Sequence, residues 1–115
     1  VEKIPYLKEL GITTLEMQPA YEFAECPVVL NAAPNTPAGK VNYWGYQEGF
    51  YYTPKRAYAY TKNVVQEFKD MVKALHKNHM ELIMQFYFPK EFPCTEVLPI
   101  LRYWHREYHV DGFHV

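Results

Sequence analysis

Two acidic side chains stand beside predicted strands, where carboxylates in enzymes act as acids, bases or nucleophiles. Glu16 lies inside the first predicted strand, and Asp111 directly precedes the last one. Glycoside hydrolysis needs two carboxyl groups that flank the reacting bond. Because Asp111 comes before its strand, it falls at the opposite end of a parallel sheet from a barrel's active site. We therefore expect Glu16 to be a buried hydrogen-bonding group, and we predict no catalytic residue.

Covalent catalysis by a serine hydroxyl or a cysteine thiol finds no support in the sequence. The chain contains no serine, and neither Cys26 nor Cys94 follows a strand in a known nucleophile signature. The two cysteines are far apart in the sequence and form no C-x-x-C motif, which favours a pair of reduced thiols over a disulfide framework.

Two histidine pairs have spacings at which both rings of a pair could bind one metal ion. His105 and His109 lie at i and i+4, as in a zinc-binding helix, but that motif needs glutamate directly after the first histidine and Arg106 stands there. We interpret both as surface or helix-end residues, and His76 and His79 as partners of a helix dipole. We predict no metal site and no cofactor.

The composition of the chain limits the class of ligand that it is expected to bind. The chain has 115 residues, is 49% hydrophobic and carries a formal net charge of -1, so neither nucleic acid nor a membrane surface is expected to bind. Eleven tyrosines, seven phenylalanines and two tryptophans suit a neutral ligand such as a sugar. No apolar run approaches the roughly 18 residues of a membrane span and no signal peptide is visible, which favours the cytoplasm.

The pattern along the chain predicts alternating helices and strands. Apolar spacing predicts helices, and β-branched or continuous apolar runs predict strands. Glu81 to Phe88 is typical of a strand that is covered on both faces. The predicted order is a helix over Ile4 to Gly11, a strand over Ile12 to Gln18, an irregular segment from Ala20 to Tyr60, a helix capped by Asn63, the strand at Glu81, a helix capped by Thr95, and a strand from Gly112.

This order indicates an α/β fold with a parallel sheet and right-handed crossovers. Three strands do not complete a barrel, so we interpret residues 1–115 as a single partial domain. A doubly wound sheet fits the same pattern, although no strand is followed by the G-x-G-x-x-G of a nucleotide site.

Four ordered blocks resemble the catalytic barrel of the alpha-amylase glycoside hydrolase superfamily, in its pullulanase, isoamylase and glycogen-debranching branch. The blocks are Y-L-K-E-L-G-I-T-T-L-E-M-Q-P-A-Y-E-F, N-Y-W-G-Y-Q-E-G-F-Y-Y-T-P, E-F-K-D-M-V-K-A-L-H and the terminal V-D-G-F-H-V. The resemblance implies a fragment of a TIM (β/α)8 barrel, about strands 2–4 with their flanking helices.

The resemblance also assigns substrate-binding residues. Tyr46 matches the family tyrosine that stacks on the sugar. The family block D-V-V-x-N-H aligns with Q-F-Y-F-P-K, so that Gln85, Pro89 and Lys90 stand in place of aspartate, asparagine and histidine. In the block G-F-R-x-D the arginine falls on His114, and the nucleophilic aspartate would come directly after Val115. We predict Tyr46, Gln85 and His114 as substrate-binding residues.

An active parent would hydrolyse α-1,6 or α-1,4 bonds of starch, glycogen or pullulan with retention, as the resemblance implies. This chain alone is predicted to be inactive, because it has neither the family nucleophile nor the acid–base residue. The alternative is a non-catalytic relative that binds glucan or serves in assembly. Uncovered sheet edges further predict that the isolated chain forms homo-oligomers.

Overall fold

The computed structural model describes residues 1–26 and 41–115. Within these ranges, no helix is long and apolar enough to cross a membrane. In chain order the elements are α1 (Ile4–Glu9), β1 (Thr14–Met17), β2 (Tyr21–Glu22), β3 (Phe50–Pro54), a 3-10 turn (Arg56–Tyr58), α2 (Val64–Lys77), β4 (Glu81–Gln85), α3 (Cys94–Tyr108) and β5 (Gly112–His114).

The main sheet has three parallel strands in the order β1-β4-β5. Leu15 pairs with Leu82 across the first ladder, and Gln85 pairs with His114 across the second. Helix α2 connects β1 to β4 and α3 connects β4 to β5, as expected for parallel neighbours that need a crossover. The predicted α/β fold with a parallel sheet is therefore confirmed.

The helices form where apolar residues recur at helical spacing. The Asn63 side chain accepts a hydrogen bond from the Gln66 amide at 3.1 Å, which caps α2 as predicted. Helix α3 begins at Cys94 after Pro93, so the prediction that Thr95 caps it was wrong by two positions. Proline before the first turn costs nothing there, because the first amides of a helix have no intrahelical partner.

Strand β4 is covered on one face, and the prediction of two covered faces was wrong for this chain. Leu82 and Met84 are fully buried under the helices. Ile83 and Gln85 alternate with them and are only partly buried, because both crossover helices pack on the same side of the sheet. The second face of the sheet is thus accessible at its carboxyl end.

A two-stranded antiparallel sheet, β2 with β3, lies inside the segment that was predicted to be irregular. A strand of two residues carries no period that a sequence pattern could detect. Gly49 permits the pairing, since a Cβ there would lie 2.2 Å from the Glu22 carbonyl oxygen. The Trp104 indole donates to the Tyr51 carbonyl at 2.6 Å and so joins this sheet to α3. Residues 27–40 of the predicted irregular segment lie outside the described ranges.

Candidate functional site

Three polar side chains meet at the carboxyl ends of the parallel strands. Gln85 is the last residue of β4 and His114 the last of β5, and the two are direct partners in the ladder. Glu16 is the third residue of β1 and pairs with Ile83. Since side chains alternate along a strand, all three point to the face that the helices leave accessible.

The Glu16 carboxylate is the centre of this group. The Gln85 side-chain amide donates to its Oε1 at 2.7 Å, and the Nδ1 atom of His114 lies 2.6 Å from the same oxygen. Glu16 makes the hydrogen bonds that were expected of it, but its side chain is 44% exposed. The expectation that it is buried was therefore wrong, because no helix or strand within residues 1–26 and 41–115 covers that face.

Tyr46 completes the group from a different part of the chain. Its hydroxyl donates to the Gln85 side-chain oxygen, and the residue is 45% exposed. With Phe86 and Val115, the three predicted substrate-binding residues line a cleft of about 210 Å³. The structure thus brings Tyr46, Gln85 and His114 together, and Glu16 joins them.

The turn that carries Tyr46 is fixed by its neighbours. Gly45 has a φ of +74°, and a Cβ there would lie 2.6 Å from the Phe23 ring. The Asn42 side chain accepts from the Gly45 amide at 3.1 Å and donates to the Gln47 side chain at 2.8 Å. These contacts orient the peptide on either side of Tyr46.

Two buried tyrosines, Tyr21 and Tyr51, stand behind the site. Both lie inside the family blocks, but neither was assigned a role from the sequence. The Tyr21 hydroxyl lies 2.7 Å from the Gln47 carbonyl oxygen, and the Tyr51 hydroxyl donates to the Tyr87 carbonyl at 2.8 Å. Burial raises the pKa of both phenols, that of Tyr51 to about 12. Both hydroxyls therefore keep their protons at neutral pH.

Lys55 is a third residue whose role the sequence did not reveal. It is 3% exposed, and its Nζ lies 3.2 Å from a carboxylate oxygen of Glu22 and 3.2 Å from one of Glu25. It also borders a cleft of about 350 Å³ between the end of β1 and α2, larger than the cleft at Tyr46. Lys55 directly follows β3 and Glu22 belongs to β2, so this ion pair links the two strands of the small sheet and holds them together.

Pro89 and Lys90, the other two replaced positions of the family block, are not among the residues that line the cleft at Tyr46. Pro89 and Lys90 follow β4 in a turn that is closed by the Phe92 amide donating to the Pro89 carbonyl at 2.9 Å. Strand β4 ends at Gln85, so the alternation of side chains along the strand does not set the orientation of Pro89 or Lys90.

Asp111 lies at the amino end of the sheet, and His76, His105 and His109 lie in the last turns or at the ends of helices. Asp111 accepts from the Leu82 amide at 2.8 Å, and its Oδ2 is 2.7 Å from Nε2 of His76. Burial opposes its ionisation, but these two bonds, together with the electrostatic effect of His76 and His105, outweigh burial and lower the pKa of Asp111. His105 contacts the Val110 carbonyl, and His109 ends α3 in the left-handed conformation.

The arrangement suits recognition of a neutral polyhydroxyl ligand. The amide of Gln85, followed by the imidazole of His114, lowers the pKa of Glu16, which keeps this carboxylate ionised at neutral pH. A carboxylate, an amide and an imidazole offer acceptors and donors, and the Tyr46 ring offers a flat apolar surface. Such mixed lining is typical of small-molecule sites.

No family model matches the chain. It is similar to Isoamylase 1, chloroplastic, of Arabidopsis thaliana, with 30% identity over 97% of this chain and 21% of that protein. It is also similar to Isoamylase 1, chloroplastic, of Oryza sativa subsp. japonica, with 30% identity over 90% of this chain and 13% of that protein. The chain thus spans about a fifth or less of these relatives.

The fold is shared with a solved pullulanase from Paenibacillus barengoltzii, in complex with maltohexaose and alpha-cyclodextrin. The TM-score is 0.72 and the identity 21%, over 96% of this chain and 23% of the pullulanase chain. The two isoamylase relatives, together with this shared fold, confirm the resemblance that the four sequence blocks indicated.

The titration of Glu16 tests the hydrogen-bonded cluster. The pKa of Glu16 in the folded chain is lower than the ordinary 4.5. The bonds to Gln85 and His114 therefore stabilise the fold at pH values above 4.5. This stabilisation is lost as the pH falls through the lowered pKa and the carboxylate gains a proton. We expect Gln85→Leu to move the Glu16 midpoint up toward 4.5 in a ¹³C NMR titration of the carboxyl carbon. As a control, Gln66→Leu removes a bond to Asp70 on α2 and should leave Glu16 unchanged. An identical Glu16 midpoint in wild type and Gln85→Leu would contradict the arrangement.

Proposed function

We propose that this chain, a relative of the isoamylase and pullulanase debranching enzymes of the alpha-amylase superfamily, is a piece of a catalytic (β/α)8 barrel and binds alpha-glucan at its strand ends. Residues 1–115 form one partial domain that corresponds to about strands 2–4 of the barrel with their flanking helices. The parallel order, the helical crossovers and the exposed inner face support this assignment.

The observation that carries the proposal is the convergence of Tyr46, Gln85 and His114 around Glu16. Active sites of such barrels lie at the carboxyl ends of the strands, and these side chains stand at that end of the sheet. The Tyr46 ring stacks on a glucose unit, while the amide and the imidazole bind its hydroxyl groups. Maltohexaose bound to the related pullulanase supports a glucan as the ligand.

This chain alone binds glucan without hydrolysing it. Retaining hydrolysis needs two carboxyl groups about 5 Å apart, one as nucleophile and one as acid and base. Glu16 is the carboxylate in the hydrogen-bonded cluster, and its Oε1 is already engaged by Gln85 and His114. Asp111 is bound at the opposite end of the sheet, where it contacts the first residues of β4.

The alternative function is a non-catalytic relative that binds glucan or contributes to assembly. It is favoured by the four positions at which family residues are replaced: Gln85, Pro89, Lys90 and His114. Gln85 is uncharged and cannot lend a neighbour the charge that aspartate would. Both functions share the same binding site, and they differ in whether the complete protein turns over glucan.

We also propose that the isolated chain self-associates. Strands β1 and β5 are the edges of the parallel sheet, and an edge presents unpaired backbone groups that pair with another chain. Light scattering should show a mass above that of one chain, which is 13.7 kDa. A stable monomer at high concentration would contradict this proposal.

Glucan binding is tested by titrating the chain with maltohexaose in a calorimeter. We expect Tyr46→Ala to weaken binding roughly tenfold, the effect of losing about 1.4 kcal/mol of aromatic stacking. Tyr46→Phe keeps the ring and loses only the hydroxyl bond to Gln85, so it should retain most of the affinity. Reducing-sugar assays of the same samples should detect no hydrolysis of starch, glycogen or pullulan.

The matched control is Tyr60→Ala, since Tyr60 is 98% exposed and does not line the cleft at Tyr46. Equal loss of affinity in Tyr60→Ala and Tyr46→Ala would overturn the assignment of the site. Turnover by the isolated chain would overturn the conclusion that it binds without hydrolysis.

A further inference from the structure

We infer that Tyr21 is a positioning residue, whose buried hydroxyl holds the turn that carries Tyr46 against the end of β4. This inference rests on the proposed glucan site, which it deepens by naming what sets the geometry of that site. Tyr21 itself is 0% exposed and stands behind the cleft, so it acts through Tyr46 rather than on the sugar.

The hydroxyl lies between two segments of the chain that are far apart in sequence. It is 2.7 Å from the Gln47 carbonyl oxygen, 3.3 Å from that of Gly45 and 3.4 Å from that of Tyr87. A phenol has one proton to donate, and the shortest distance assigns it to Gln47. The Tyr87 amide then donates to the same hydroxyl at 3.4 Å.

This bridge acts on both sides of the Tyr46–Gln85 contact. Gln47 directly follows Tyr46 in the turn, and Tyr87 lies two residues after Gln85. The Tyr21 hydroxyl therefore joins the backbone next to the stacking ring to the backbone next to its hydrogen-bond partner. If the bridge is lost, one direct polar link between the two segments remains among the described residues. It is the exposed contact between the Tyr46 hydroxyl and the Gln85 side chain.

The aromatic ring of Tyr21 is held independently of its hydroxyl. It stacks on Phe86 at 5.2 Å between ring centroids and lies 4.8 Å from the Tyr51 ring. Tyr21→Phe keeps these ring contacts, so the variant folds and loses only the bridge. The chain also supplies a matched control, because Tyr51 is a second buried phenol with a bond to Tyr87. Its hydroxyl contacts the Tyr87 carbonyl and makes no bond to the turn at Tyr46.

The test compares Tyr21→Phe and Tyr51→Phe by amide hydrogen exchange without sugar. We expect the Gly45 and Gln47 amides to exchange about tenfold faster in Tyr21→Phe, the effect of losing one hydrogen bond that closes the turn. In Tyr51→Phe these two amides should exchange as in the wild type, although both variants lose one buried hydroxyl. Equal rates in the two variants would overturn the positioning role.

Maltohexaose titration supplies the second readout. We expect Tyr21→Phe to bind several-fold more weakly than wild type and Tyr51→Phe to bind equally well. If both variants bind like the wild type, Tyr21 does not position Tyr46 for sugar. If the wild type itself binds no maltohexaose, the proposed glucan site fails, while hydrogen exchange still decides whether Tyr21 holds the turn.

Discussion

The burial of alternate residues on β4 is the constraint on which the candidate site depends. Leu82 and Met84 are fully buried under the helices, which fixes the register of β4 with β1 and β5. A slip of one residue would turn the whole apolar set away from the helices. The same register therefore places Gln85 on the accessible face, beside His114. Helix packing on one face of the sheet thus determines which polar side chains lie on the other face.

The long connection after β1 adds the second half of the site. Its small sheet packs through Tyr21, Tyr51 and the rings that follow β4, and Trp104 of α3 donates to its backbone. These aromatic contacts make the small sheet part of the core. Tyr46 can then be exposed and still well placed, because the residues around it are anchored.

Periodicity predicts the regular elements, since helices and buried strands repeat at fixed intervals. Helix α2 has its Asn63 cap and its apolar stripe as expected, and β5 begins at Gly112. The strand pair β2 and β3 was missed because its pairing joins residues some thirty positions apart and depends on close approach at Gly49. The exposure of Glu16 was misjudged for a related reason: a sequence gives the face of a strand but not what covers that face.

The family blocks identified Tyr46, Gln85 and His114, and the hydrogen bonds add Glu16 as the group that joins the last two. The central claim is that the Tyr46 turn and the strand ends form one site. Nuclear Overhauser measurements on the isotope-labelled chain test this directly. We expect cross-peaks between the Tyr46 ring and the Gln85 side-chain amide, and between Gln85 and the His114 ring. Cross-peaks within the β4–β5 ladder, without any from Tyr46 to Gln85, would contradict it.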